Sequence, residues 1–234
     1  VCDAETKRKI TKYNVYEFFL DKKRKDGLAG YPLIDVYLTG KELKLAAEVD
    51  ASVSDFMTTA RLYCSGLNFT FNPHRMILNK VTDCYLTRED GERIEIQDDQ
   101  LYRVVTDLYT GQMLGSVMEM SYGLLKIEPK DKDGNPIENL EDQAIMEGDK
   151  ELKAWDAIAR YMKSFDDTDG NGISNVPEYY ETTHGRKVVD ESRNVIDLVK
   201  NPNKFSVMIV GIVLVLILII ILLVVLIRKL IKKR

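Results

Sequence analysis

The stretch Leu33–Glu48, LIDVYLTGKELKLAAE, holds a strand, a helix start and the first turns of a helix. From Pro32 to Leu38 side chains alternate with the two-residue period of a β-strand. Thr39-Gly40-Lys41-Glu42 follows as a capping box, in which Thr39 accepts from the helix backbone and Glu42 reaches back. We therefore predict a helix to about Asp50 that buries Leu43, Ala46, Ala47 and Val49.

Strands and helices alternate irregularly around this unit, without a βαβ repeat, which favours an α+β fold with a mixed sheet and flanking helices. Residues 10–20 fit a strand or a short helix. Asp90-Gly91 predicts a hairpin turn, and Asp149 is expected to cap a helix that runs to about Phe165. The remaining predicted strands are Arg61–Ser65, Leu67–Phe71, Leu78–Leu86, Arg93–Ile96, Leu101–Asp107 and Gly123–Glu128.

One long apolar segment lies near the C-terminus. Phe205–Ile227 contains no charged residue, and a helix needs about 20 apolar residues to cross the hydrocarbon core. Five cations follow it within residues 228–234, and this asymmetry predicts a cytoplasmic C-terminus. We therefore expect a single-pass plasma-membrane protein, with a short stalk and an extracellular domain before the span.

The net charge of the part before the span and the first residues of the chain add to this expectation. Without the five cations of 228–234, the remaining 28 basic residues face 37 acidic ones, a net charge of −9. Such a domain is poorly suited to binding nucleic acid through phosphates. An exported domain needs a signal, which the first residues, Val1–Glu5, do not supply, so we expect the chain to be the C-terminal part of a longer protein.

Three stretches together resemble the C-terminal domain of the 5′-nucleotidase / 2′,3′-cyclic phosphodiesterase family. They are Ile10–Leu20 (ITKYNVYEFFL), Leu33–Glu48, and Tyr63–Asn72 followed by Asp90-Gly91 and Tyr102-Arg103-Val104-Val105. The resemblance covers residues 10 to about 110, with an extra loop at Asp21–Gly30. It implies that an upstream metallophosphoesterase domain carries two divalent metal ions and the catalytic chemistry.

The resemblance also implies where a substrate would bind. In that family the C-terminal domain supplies the pocket for base and ribose, closed by a loop motif of the form GGDGF. Gly111–Val117 aligns with this motif, which puts Val117 in place of one stacking Phe and Arg61 near the place of the other. The candidates that remain for holding a nucleoside are Arg61, Tyr63, Asn68, Tyr109 and Gln112. Each tyrosine equally fits core packing, and Asn68 equally fits a solvent-facing strand position.

Catalytic residues are not expected in this chain. A dinuclear phosphoesterase needs several Asp, His and Asn ligands, whereas the sequence has two histidines, His74 and His184, each in a predicted loop. The three cysteines, Cys2, Cys64 and Cys84, are too few for a disulfide scaffold. Cys64 and Cys84 would pair if their strands were neighbours, and free thiols are the alternative.

Residues Asp167–Glu178, DTDGNGISNVPE, have the spacing of a calcium loop. Oxygen ligands recur at alternate positions and Gly172 supplies the sharp turn, as in an EF-hand, although the apolar residue stands where the thrombospondin type 3 calcium repeat has it. An acidic surface turn without an ion is the alternative. The expected ligands of a structural Ca²⁺ are Asp167, Asp169, Asn171, Ile173, Asn175 and Glu178.

These observations predict a non-catalytic substrate-recognition domain of a membrane-anchored 5′-nucleotidase-like hydrolase that acts in nucleotide catabolism outside the cell. Its partners would be the upstream metallophosphoesterase domain, a nucleotide or other phosphoester, and the lipid bilayer. The alternative is a surface-display or ligand-binding module that has lost nucleotide binding. The expected segments are a family-like domain over 1–128, a helical extension over 129–166, the calcium loop and stalk over 167–204, the span over 205–227 and a basic tail over 228–234.

Overall fold

The capping box at Thr39 joins a strand to a helix, as predicted, in a computed structural model that describes residues 24, 26–57, 61–121 and 125–232. The Thr39 backbone amide donates to Glu42 Oε2 at 2.8 Å, and the Glu42 amide donates back to Thr39 Oγ1 at 3.3 Å. Both halves of the capping box are thus formed. The prediction for residues 10–20 lies outside the described residues.

The helices and strands of the described residues follow in chain order. They are β1 (Leu33–Thr39), α1 (Gly40–Val53), β2 (Leu67–Phe71), β3 (Val81–Thr87), β4 (Arg93–Glu95), β5 (Leu101–Asp107), α2 (Leu108–Met120), β6 (Met146–Glu147), β7 (Lys150–Glu151), α3 (Ala154–Lys163), β8 (Lys187–Val189), α4 (Val195–Val199) and α5 (Lys204–Lys232). Single 3₁₀ turns lie at Leu140–Gln143 and Glu178–Glu181. Mixed strands and helices of this kind make the fold α+β.

The chain divides into two compact units. Unit 1 comprises residues 1–43 and 97–184, and unit 2 comprises residues 44–96 and 185–234. In unit 1, β1 pairs with β5 antiparallel, from Leu33 opposite Asp107 to Thr39 opposite Leu101. In unit 2, a four-stranded sheet has the order β4-β3-β2-β8, in which only the β2–β8 pair is parallel.

Each unit has its own core. In unit 1, Ile34, Val36 and Leu108 are buried with Tyr31, Val104, Ile137 and Leu140 against them, and the alternating burial of β1 places its even-numbered residues inside. A second cluster packs Met162 on Trp155 and Ala159, which share one face of α3. In unit 2, Ala47 and Ala51 of α1 pack on Phe69 of β2.

Four predictions about elements are wrong or shifted. Arg61–Ser65 forms no strand, and β3 begins at Val81 rather than at Leu78. Residues 125–128, the described part of the strand expected at 123–128, also form none, because the Glu128 amide donates to the Glu42 carboxylate rather than to a neighbouring strand. Asp149 caps no helix, since it lies in the turn between β6 and β7, and α3 begins at Ala154.

Gly111–Val117 was expected to be a loop and lies within α2 instead. Asp107 caps this helix, accepting from the Thr110 amide at 3.0 Å and from Thr110 Oγ1 at 2.6 Å. Gly111 is required by packing, because a Cβ there would lie 2.7 Å from Ile34 Cδ1 in the core. Glycine therefore lets the helix approach β1 closely, where the resemblance implied a pocket-closing loop motif.

Candidate functional site

Residues 61–64 of unit 2 carry an exposed aromatic ring on a segment that is held in place. The Leu62 amide donates to Asp50 Oδ1 at 2.8 Å, and the Leu62 carbonyl accepts from Lys187 Nζ. The Cys64 carbonyl accepts from Arg186 at 3.5 Å. Backbone groups here bond to side chains instead of to a strand, which explains why the predicted strand is absent. Tyr63, between the two fixed residues, is 88% exposed.

Lys187 connects the groups around this ring. Its ammonium lies 2.6 Å from the Asp50 carboxylate, and 5.4 Å from the centre of the Tyr63 ring. A cation within about 6 Å of a ring centroid is attracted to the π-face. Asp50 and Lys187 therefore hold the backbone of Leu62, next to Tyr63, while the Tyr63 ring stays open to solvent.

Asn68 is part of the fold of unit 2 rather than of its solvent-facing surface. It is 8% exposed, and its amide nitrogen donates to the Gly66 carbonyl at 3.1 Å and to Thr87 Oγ1 at 2.7 Å. These bonds tie the start of β2 to the end of β3. Arg61, by contrast, is exposed close to Tyr63 in sequence.

Tyr109 and Gln112 belong to unit 1, on the first turns of α2. Tyr109 is 45% exposed, and its ring centre lies 5.5 Å from that of Tyr31 at a tilt of 40°. Gln112 is exposed one turn further along. The candidates thus form two groups, with Arg61, Tyr63 and Asn68 in unit 2 and Tyr109 and Gln112 in unit 1.

Sequence reasoning missed Asp50, Arg186 and Lys187, which position Tyr63. Asp50 was assigned only to the end of a helix, and Arg186-Lys187 was not singled out. A weak signal was present, because two cations directly precede the β-branched pair Val188-Val189. Only the parallel pairing of β8 with β2 brings Lys187 opposite Phe69, beside the segment that holds Tyr63.

Unit 1 also contains a cavity of about 320 Å³. Five carboxylates lie in its lining, those of Asp26, Glu141, Asp142, Asp149 and Glu151. Arg24 and Lys153 are paired with three of them, so the cavity keeps an excess of negative charge. Negative charge of this density disfavours a phosphoester, since like charges repel most strongly where water is scarce. The cavity is therefore an unsuitable pocket for a nucleotide phosphate.

The predicted calcium loop is folded by its own polar side chains. Asp167 accepts from the Gly172 amide at 2.8 Å, Asn171 from the Ile173 amide at 3.0 Å, and Asn175 from the Thr168 amide at 2.7 Å. The Gly172 amide is the main reason why the pKa of Asp167 lies below its ordinary value. Gly170 and Gly172 both have positive φ, at +68° and +81°, where glycine is favoured.

No group of three His, Cys, Asp or Glu side chains suited to a metal ion occurs within the described parts of the chain. His74 accepts from Arg193 Nε at 3.4 Å, and His184 stacks on Tyr179 with ring centres 3.8 Å apart. The described cysteines, Cys64 and Cys84, are free thiols, and burial raises the pKa of Cys84 to about 12. Neither histidine nor cysteine side chains assemble a catalytic centre in the described residues.

α5 is the one helix of the described residues that is long and apolar enough to cross a membrane. It runs from Lys204 to Lys232, and its side chains from Val207 to Ile227 are largely exposed. An apolar helix exposed to water along this length would be strongly unfavourable, because each buried methylene is worth about 0.8 kcal/mol. The helix is therefore a candidate membrane span.

Comparisons with known proteins agree with the resemblance. Residues 9–120 match the family described as 5′-nucleotidase, C-terminal domain, and this part of the chain belongs to that family. No curated protein matches the chain.

Two solved structures are similar to the chain. One is the 5′-nucleotidase precursor from Thermus thermophilus, at 19% identity and a TM-score of 0.47, with 78% of this chain and 28% of that chain covered. Another is the NAD nucleotidase of Haemophilus influenzae, at 19% identity and a TM-score of 0.34, with 52% and 21% covered. This chain therefore spans less than a third of the length of either protein.

Proposed function

We propose that this chain is the substrate-recognition domain of a membrane-anchored 5′-nucleotidase-like phosphoester hydrolase. The family match over residues 9–120 supports the domain type, and α5 supports the anchor. The catalytic divalent metals belong to an upstream metallophosphoesterase domain, and the active complex faces the outside of the cell. The basic residues Arg228 and Lys229, which follow the span, support a cytoplasmic C-terminus.

The presentation of Tyr63 carries the proposal. A large ring that is 88% exposed can bury much apolar surface when a base stacks on it. The bonds to Leu62 and Cys64 already hold the backbone, so little backbone entropy is lost when a ligand binds. Base–aromatic stacking is worth about 1–3 kcal/mol per base. The Asp50 carboxylate balances the charge of Lys187. The exposed Arg61 adds positive charge to the same part of unit 2, which suits a nucleotide rather than a neutral nucleoside.

Equilibrium dialysis of the detergent-solubilised chain with radiolabelled AMP, UMP and glycerol phosphate tests this role. We expect the nucleotides to bind and glycerol phosphate to bind more weakly, since it has no base to stack. Tyr63→Ala should weaken AMP binding about tenfold, for a stacking energy on the order of 1–2 kcal/mol, whereas Tyr63→Phe should retain it. Tyr179→Ala, which removes an exposed ring of unit 1, is the control. Unchanged AMP binding by Tyr63→Ala would contradict the role of this ring.

One observation favours the second function, a non-catalytic display or ligand-binding module. The stretch aligned with the pocket-closing motif is part of helix α2, and Gly111 is used there for packing on Ile34. A module of this kind would keep the fold and lose the nucleotide. Absence of binding to all three phosphoesters by the intact chain would favour it.

We further propose that Asp167–Glu178 binds a structural Ca²⁺. The loop brings the carboxylates of Asp167 and Asp169 together on a glycine-turned backbone, since the Asn171 backbone amide donates to both at 3.2 Å. The remaining ligands would be the Asn171 side chain, the Ile173 carbonyl, Asn175 and Glu178. Glu178 is not grouped with the two aspartates in the described structure, so it would move towards them when Ca²⁺ binds. We expect Ca²⁺ to raise the melting temperature of unit 1, and Asp167→Asn with Asp169→Asn to abolish that rise. Asp131→Asn, in the similar short turn Asp131–Asn135, is the matched control, and a rise that survives the double substitution would contradict the site.

A further inference from the structure

The short helix α4, which precedes the candidate span, turns its apolar side outwards. Val195, Ile196 and Val199 are 71%, 70% and 66% exposed, and their i, i+1, i+4 spacing puts them on one face. Asp197 lies half-buried on the other side and accepts from Ser192 Oγ at 2.7 Å. Leu198 is half-buried beside Asp197, but the other three apolar side chains of α4 are exposed to an extent that water disfavours. This exposed face therefore fits an apolar partner.

Arg75 fixes α4 to the loop between β2 and β3. It is 7% exposed, and its guanidinium donates to the carbonyls of Asn79, Asp197 and Lys200 at 2.7, 2.6 and 2.7 Å. The buried Asn72 adds a bond to the Ser192 carbonyl at 2.7 Å. Three backbone carbonyls bound by one rigid guanidinium hold the segment in place. The predicted stalk is therefore a fixed part of unit 2 up to the start of α5.

The first turn of α5 is tied to the same loop. The Asn203 amide donates to Asn79 Oδ1 at 3.3 Å and the Asn203 side chain donates to the Leu78 carbonyl, while Asn203 Oδ1 caps the helix. Leu78 and Asn201 are the non-glycine residues with positive φ among those described, at 60° and 50°. A strained backbone persists only where surrounding contacts hold it in place. Two such residues at one junction therefore indicate that the connection between unit 2 and α5 has a fixed conformation.

The length of the span places this junction at the membrane surface. Phe205 and Ser206 are 4% and 5% exposed, and so are covered by unit 2. Val207 to Ile227 is then about 31 Å long at about 1.5 Å per residue, and the hydrocarbon core is about 30 Å thick. Val207 thus lies at the edge of the core, and the loop and helix bonded to Asn203 and Arg75 lie at headgroup level.

The side chains around the apolar face suit that level. Ile77, at the tip of the loop that Asn203 binds, is 46% exposed. Arg193, Lys200 and Lys204 are exposed cations of the same segment, each worth about 1 kcal/mol near an anionic bilayer surface. Asp190 and Glu191 oppose them in part. Apolar groups beneath a cationic belt are typical of helices that lie in the interface.

We propose that unit 2 docks on the bilayer through the membrane-contact face, defined as Val195, Ile196 and Val199 of α4 with Ile77. This proposal rests on the membrane anchoring proposed above. The occupant is the headgroup–acyl boundary of the leaflet that α5 enters, and α5 itself provides the continuity. Unit 2 is thereby held against the membrane rather than carried away from it on a loose stalk.

Tryptophan quenching by brominated lipid tests the docking in the full chain. The chain has one native tryptophan, Trp155, so the unsubstituted protein gives the baseline. Ile196→Trp and Ile77→Trp are reconstituted into phosphatidylcholine–phosphatidylglycerol vesicles with bromine near the headgroup end of the acyl chains. We expect the added fluorescence to fall on the order of twofold, because interfacial side chains insert about 5–10 Å.

Two variants make the outcome decisive. Glu89→Trp lies in the exposed turn at the far end of β3, about 23 Å along the strand from the loop that bears Ile77, and should not be quenched. Leu216→Trp lies near the middle of α5, about 13 Å below Val207, and in vesicles with bromine near the ends of the acyl chains it reports anchoring alone. Quenching of Leu216→Trp without more quenching of Ile196→Trp than of Glu89→Trp would overturn the docking and leave the anchor intact. No quenching of Leu216→Trp would overturn the anchor, and the docking with it.

Discussion

Two strand-to-helix junctions in unit 1 use the same local chemistry and differ in how visible they are in the sequence. At β1–α1, Thr39 and Glu42 exchange bonds as a capping box. At β5–α2, which has the same three-residue spacing, Thr110 donates both its amide and its hydroxyl to Asp107, so this cap is one-sided. The first junction was predicted and the second was taken for a loop.

The residues that follow each cap explain the difference. After Glu42 comes an apolar pattern of helical period, LKLAA, whereas Thr110 is followed by glycine at Gly111 and again at Gly115. Glycine costs about 1 kcal/mol in a helix relative to alanine, so the residues after Thr110 favour a helix less than those after Glu42. The core contact between Gly111 and Ile34, absent from any local pattern, reverses that preference.

Glu42→Ala should have the largest effect on either junction. Glu42 also accepts from Lys130 Nζ at 2.6 Å and from the Glu128 amide at 3.0 Å. Its loss therefore leaves the largely buried Lys130 ammonium without its carboxylate partner. We expect the free energy of unfolding of unit 1 to fall by about 3 kcal/mol, measured by denaturant titration of the full chain with Trp155 fluorescence. Glu147→Ala, at the exposed pair with Arg160, should cost less than about 1 kcal/mol, and equal losses would contradict the ranking.

Gly111→Val should come next, with a loss of about 2 kcal/mol. The new Cβ would stand 2.7 Å from Ile34 Cδ1, in a core that has no room for it. The same fluorescence titration measures the change. Gln112→Val, one residue along on the exposed side of α2, places valine in the same helix without a core contact. An equal loss there would show that the cost comes from valine in the helix rather than from the contact with Ile34.

Asp107→Ala should cost about 1 kcal/mol, the usual value of an N-cap. Among the described residues Asp107 has no ion pair comparable to that of Glu42 with Lys130, which is why the second cap is expected to be the weaker. Asp107→Asn retains an acceptor and should restore most of the loss. If Asp107→Ala lowered the free energy of unfolding as much as Glu42→Ala, the buried ion pair of Glu42 would not explain the difference in strength between the two caps.

The smallest expected effect is the change with pH in the stability that the Glu42 carboxylate gives to unit 1. Burial raises the pKa of Glu42, but bonds from Lys130 and Thr39 outweigh it, so the pKa lies below the ordinary 4.5. A depressed pKa stabilises the fold above about pH 4.5, and this stabilisation is lost as the pH falls through the folded-state value. Subtracting the titration of Glu42→Gln from that of the parent chain should leave a difference that shrinks below pH 4.5. A difference that grows on acidification would have the wrong sign.

Local patterns predicted the elements that local chemistry specifies. Strand β1, helix α1, the turn at Asp90-Gly91 and strand β5 follow from alternation, capping and turn residues. The segment 61–64 was missed because Asp50 and Lys187, distant in sequence, satisfy its backbone. The start of α3 was missed because Lys153 precedes it, an unusual cap that is explained by its ion pairs with Asp26 and Glu151 at 3.2 and 2.6 Å.

The candidate site was accessible from the sequence only in part. The resemblance indicated Tyr63, whose exposure and fixed backbone agree with a stacking role. It gave no sign of Lys187, which reaches Tyr63 through the parallel β2–β8 pairing. The same limit applies to Asn68, since only the pairing of β2 with β3 shows that its amide is bonded to Thr87.

Metal-dependent phosphate release by the complete gene product that carries this chain tests the proposed function most directly. AMP, UMP, a 2′,3′-cyclic nucleotide and glycerol phosphate are compared with and without Mn²⁺ or Zn²⁺. We expect release from nucleotides, with KM for AMP raised about tenfold by Tyr63→Ala and kcat little changed, as for a lost uniform binding contact. Absence of release from every nucleotide, or an unchanged KM in Tyr63→Ala, would contradict a substrate-recognition role for this domain.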